Sequence, residues 1–183
     1  MSVESEKSKK PKMNEEKNQI SQPGGFVETE ADFKEYNDEA GRFRFLYPKN
    51  WFVQESIWDT DVRAVIANSP EGYFWLLASY PAGTDPDTTA KSVLDTMKGE
   101  YDKLEDFPAK RMIAGRTLHG YEMNFYYLDF INSALVLGFQ DQDRTWVIFQ
   151  QGTDRLKLTG EPVSCEEVFE AITYSFLDSL SNG

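Results

Sequence analysis

The sequence predicts an α+β protein: a mostly antiparallel sheet of about seven to eight strands in the order ββββ-α-ββββ-α. Three observations carry that expectation. Phe, Tyr and Trp make up 14% of the 183 residues, and aromatic side chains favour strands and bury large areas. Several short runs alternate apolar with polar residues, the period of a half-buried strand. Twice that period gives way to a helical stripe, once in mid-chain and once at the end. Strands that come in runs, rather than singly between helices, argue for α+β over a wound parallel sheet.

The first clear run is Arg42-Phe43-Arg44-Phe45-Leu46-Tyr47, with aromatics at alternate positions. Pro48-Lys49-Asn50 is turn chemistry, and Trp51-Phe52-Val53 opens a second strand. Val62, Ala64 and Ile66 alternate into a third. Tyr73 to Tyr80 is almost continuously apolar between Pro70-Glu71-Gly72 and Pro81, which predicts a strand covered on both faces. Then Ala90, Val93, Leu94, Met97, Tyr101 and Leu104 fall on one helical stripe, with capping oxygens ahead of it in Asp85-Pro86-Asp87-Thr88. After Phe107-Pro108 the strand period returns in Arg111 to Ala114, then in Tyr121 to Leu128, Ala134 to Phe139 and Thr145 to Phe149. The polar turn Asp141-Gln142-Asp143 makes the last two a hairpin. Ser164 and Glu167 have capping-box spacing, and Cys165, Val168, Phe169, Ile172 and Phe176 form the second helical stripe.

Residues 1–25 are Lys, Glu, Ser, Asn and Gln with little that is apolar, and composition predicts a disordered polar tail there. Residues 26–40 are transitional: Phe26, Phe33 and Tyr36 are suited to docking but lack a period. Residues 41–180 read as a single α+β domain. Net charge is −12, and five Lys against four Glu in the tail place all of the acidity in the rest of the chain. Such a field repels phosphate backbones and anionic lipid, so neither nucleic acid nor a membrane is an expected partner. A single cysteine excludes an intramolecular disulfide. With no secretory-type apolar core at the start and no run long enough to span a bilayer, the chain reads as cytoplasmic.

No motif assigns catalysis. His119 is the one histidine and reads as a turn residue between Gly115 and Gly120. One His and one Cys make no zinc pattern, the Asp-rich turns lack the Gly and distal Glu of a calcium loop, and no phosphate-binding glycine motif occurs. No cofactor or metal is therefore expected. Cys165 continues an apolar stripe beside Glu166 and Glu167, which suits a core-facing thiol better than a reactive one. The aromatics are the feature in excess. Trp75, Tyr121, Tyr126, Tyr127, Phe130 and Trp146 are the candidate binding residues, lining a sheet face or groove for a protein or peptide segment. A second reading, a small-molecule or enzymatic domain, would set acids such as Glu122 or Asp129 into a closed pocket.

Phe45-Leu46-Tyr47-Pro48-Lys49-Asn50-Trp51 resembles the F-x-x-P-x-x-W opening of PsbP-like domains. The helix Thr89 to Leu104 and the closing Val168-Phe169-x-x-Ile172-x-x-Ser175-Phe176 resemble the same group. It includes the extrinsic photosystem II protein, the Ran-binding Mog protein and bacterial domains of unknown function. The resemblance implies an α-β-α sandwich around a central antiparallel sheet, used to dock other macromolecules, with some bacterial relatives holding apolar helices as chaperones. It transfers no functional residue. The resulting expectation is a non-catalytic interaction or accessory domain.

Overall fold

In the computed structural model, residues 33–38, 42–128, 130–142, 144–153 and 165–181 are described. The tail 1–25, the capping-box serine Ser164, and Asp129 and Asp143 lie outside them. The elements run β1 (Phe33–Asn37), β2 (Arg44–Pro48), β3 (Phe52–Asp59), β4 (Val62–Asn68), β5 (Phe74–Pro81), α1 (Pro86–Glu100), β6 (Glu105–Ile113), β7 (Arg116–Tyr127), β8 (Phe130–Asp141), β9 (Arg144–Thr153) and α2 (Cys165–Ser181). The expected α+β class holds, with a seven-stranded antiparallel sheet ordered β3-β4-β5-β9-β8-β7-β6 and a separate two-stranded sheet, β1-β2.

Two meanders, β3-β4-β5 and β6-β7-β8-β9, join where β5 pairs with β9. The link from central β5 to edge strand β6 must therefore cross the strands between them. That link is α1, and it packs on β8, β7 and β9. Asp85 caps it, accepting from the amides of Asp87 and Thr88, with Pro86 at the tolerated first position.

Strand alternation puts one cluster on each face. Along β9, Trp146 and Ile148 join Trp75, Leu77, Leu137, Phe169, Ile172 and Phe176 under α2. Val147 and Phe149 join Met123, Phe125, Val136, Leu94 and Met97 under α1. The helices therefore cover opposite faces, the α-β-α sandwich that the resemblance implies. β5 sends Trp75 and Leu77 to one cluster and packs Phe74 and Leu76 against the other, as its continuous apolar run requires.

The β1-β2 sheet shares the α2 face. β2 runs beside the helix, and its free edge is satisfied by serine: the Leu46 amide donates to Ser175 Oγ at 2.9 Å and the Arg44 amide to Ser179 Oγ at 3.1 Å. β1 is fixed by Tyr36, whose ring stacks on Phe45 and whose hydroxyl donates to Glu55 at 2.8 Å. Arg63 bridges Glu55 to buried Asp38, which also takes Arg42. Burial first, and then the Glu55 carboxylate, push the Tyr36 phenol well above its ordinary pKa.

Three local expectations are corrected. α1 stops at Glu100, because Tyr101 turns extended and Lys103 takes a positive φ; Tyr101 and Leu104 still pack against the α1 cluster from the following loop. β6 starts at Glu105 and runs through Pro108, which an edge strand tolerates because one side of its ladder is empty. His119 stands within β7, opposite Gly138, rather than in a turn.

Candidate interaction surface

The six aromatics singled out in the sequence separate into three environments. Trp75 is 0% and Trp146 5% exposed; both face α2, and Trp75 spends its indole N–H on Thr173 Oγ1 at 2.9 Å. As surface residues they are corrected: each lies on a central strand whose face a helix covers. Tyr121 is partly buried against the α1 cluster. Tyr126, Tyr127 and Phe130 are exposed together at the β7–β8 turn.

That turn projects from the sheet. β6 begins at Glu105, opposite Asn124, and the pairing of β9 with β8 begins at Asn132. Beyond those positions, among the described residues, Tyr126 and Tyr127 pair with Ile131 and Phe130 alone, a two-stranded finger. Side-chain alternation places Tyr126 and Ile131 on one side of it and Tyr127 and Phe130 on the other. Leu128 turns the chain with a φ of 49°. Exposure is 62% at Tyr126, 51% at Tyr127, 72% at Leu128, 50% at Phe130 and 49% at Ile131, so both sides of the finger and Leu128 at its turn present apolar side chains to solvent. Scattered exposed apolar residues are ordinary; five on one projecting turn are a patch. The base is packed: Tyr101 lies on buried Phe125 with ring centroids 4.2 Å apart and meets Tyr127 edge-on at 6.0 Å.

Acidic groups stand at that base. Glu100 ends α1, Asp102 follows in the loop, and Glu105 opens β6 on the Tyr126 side of the sheet; all three are exposed. Burial raises the Tyr101 phenol pKa, and Glu100 adds to the rise. Lys103 is the basic residue of the same loop.

The sequence reading did not single out Leu128 and Ile131. The available signal was Leu128 itself, an apolar residue where turn chemistry calls for a polar one.

Elsewhere the described residues offer little for chemistry. An open recess of about 390 Å³ lies where Pro86 and Asp87 approach Thr117, His119, Gly138 and Gln140. His119 makes no side-chain hydrogen bond among the described residues. Glu122 is ion-paired with Arg111 and half-exposed, not set in a closed pocket. No group of three or more His, Cys, Asp or Glu converges as metal ligands among the described residues. Cys165 opens α2 partly buried, facing Gly152, with no disulfide.

No protein-family model matches the sequence, and no curated protein matches it. A solved structure does. Cyanobacterial PsbP (CyanoP) from Synechocystis sp. PCC 6803, in solution, superposes with a TM-score of 0.54 over 86% of this chain and 97% of that one, at 14% identity. The chain has the PsbP fold. At that identity the likeness to PsbP fixes the layers and the strand order and assigns no site. Among the described residues, no helix is long and apolar enough to cross a membrane.

Proposed function

We propose that this chain is a non-catalytic interaction domain that engages a protein segment through the β7–β8 finger. The observation that carries the reading is the pairing of exposed Tyr126 with Ile131 and Tyr127 with Phe130 on a turn that reaches past the described ends of β6 and β9. Aromatic side chains supply large contact area at small entropic cost, and Tyr127 is anchored at its base by Tyr101. The PsbP fold supports the reading by analogy, since it hosts docking proteins. In this reading the site is cytoplasmic, and the acidic domain avoids nucleic acid and anionic membranes.

The test is a photo-crosslinking amino acid placed at Leu128 and, as controls, at Lys91 on the outer face of α1 and at Glu71 in the β4–β5 turn. In the native cell extract, Leu128 is expected to yield a discrete protein adduct that neither control gives. Adducts that are equal at all three positions, or absent from Leu128, contradict the proposal.

A further inference from the structure

We infer that the finger's partner is a cationic amphipathic protein segment, with apolar side chains against Tyr126–Ile131 and Lys or Arg against the acids at its base. This deepens the proposed function and rests on it. The apolar finger alone fits many occupants, and charge selects among them. Glu100, Asp102 and Glu105 stand at the base of the finger, with Lys103 as the basic residue of the same loop, on a chain whose net charge is −12. Other acids near this end already have partners: Asp106 takes Lys98 at 2.6 Å, and Glu122 takes Arg111. The three base acids make no ion pair among the described residues, so their field is directed outward. A segment carrying Lys or Arg on the flanks of an apolar stripe satisfies both features at once. An acidic segment meets like charge around the contact, which costs binding and slows encounter.

A lipid surface is the competing occupant, since Tyr, Phe and Leu suit an interface. The acids oppose it: anionic headgroups are repelled, and no basic cluster among the described residues beside the finger offsets that.

The test uses the full chain and two synthetic helical peptides with the same leucine stripe, one flanked by Lys and one by Glu. Binding is followed by backbone chemical shifts. The Lys peptide is expected to perturb residues 126–131 and 100–105, and to weaken as salt rises from about 50 to about 500 mM. The triple variant Glu100→Lys, Asp102→Lys, Glu105→Lys is expected to weaken it roughly tenfold. Three reversals on other elements, Asp61→Lys, Glu71→Lys and Glu170→Lys, are expected to leave it within about twofold. All six positions are exposed, and unchanged spectra elsewhere certify each fold. The inference is overturned by equal binding of the Glu peptide, by equal weakening from both triple variants, or by shifts away from the finger. Finger-dependent binding to phosphatidylcholine or phosphatidylserine vesicles, with none to the Lys peptide, would assign the finger to membranes instead. A persistent Leu128 adduct in extract with no charge dependence removes this inference and leaves the proposed function standing; loss of the adduct removes both.

Discussion

Trp75 is fully buried beneath α2, and its indole N–H has a single described partner, Thr173 Oγ1. Thr173→Val keeps the shape and removes the acceptor, so a buried donor goes unsatisfied. The expected cost is about 1–3 kcal/mol in urea denaturation, with an unchanged m-value. Gly120 is constrained differently. A Cβ there would run into the Val136 carbonyl oxygen on β8, which is backbone and cannot swing aside. Gly120→Ala is expected to cost about 3 kcal/mol, at the upper end of overpacking, and the same measurement tells whether the sheet yields. At Asp85 the effect is one of pH. The Thr88 hydroxyl, and then the amides of Thr88 and Asp87, hold its carboxyl below the ordinary aspartate pKa. Its stabilising contribution is complete above the unfolded pKa and is lost as pH falls through the lowered one. Asp85→Asn keeps a capping oxygen and removes the titration, so the acid limb of stability against pH is expected to flatten.

The β1-β2 sheet is held by contacts that reach across the chain. Ser175 and Ser179 donate to the α2 carbonyls of Ile172 and Phe176 while accepting amides from β2. Replacing both with Ala leaves two strand amides without protein acceptors, with an expected loss of about 1–3 kcal/mol. Neither role is readable in sequence, because a serine in a helix reveals nothing about a strand 129 or 135 residues away. The same limit hid β1: five residues whose stability comes from Phe45, Glu55 and Arg63 show no period of their own. Where neighbours along the chain decide the outcome, the reading succeeded. The capping run before α1, the alternation of β2 and the stripe of α2 are all local patterns; β4 is a strand where Val62, Ala64 and Ile66 predict one, but Ala64, Val65 and Ala67 are all buried, so it is not a strand with one covered face. β6 escaped because Pro108 argues against a strand unless the strand is known to be an edge, and edge position belongs to topology.

At the scale of the whole molecule, the aromatic excess divides between buried and exposed rings. Most of it fills two cores, one under each helix; of the exposed rings, Tyr126, Tyr127 and Phe130 crowd onto the β7–β8 turn, while Phe33, Phe52, Trp58, Phe107 and Tyr174 lie elsewhere on the surface. Sequence alternation counted the rings without separating the two, since Trp75 and Tyr126 look alike until the strand order shows which strands are central and which turn reaches past the described ends of its neighbours. Docking through that turn is the central claim, and one comparison tests it most directly: capture from native extract by the wild-type chain against Tyr126→Ser/Leu128→Ser/Ile131→Ser. These positions are exposed, so folding stability is expected to change by no more than about 0.5 kcal/mol per site. If the finger is the docking element, the variant keeps its thermal transition and loses the specific partner. If the folded variant retains that partner at wild-type yield, the finger is not the docking element.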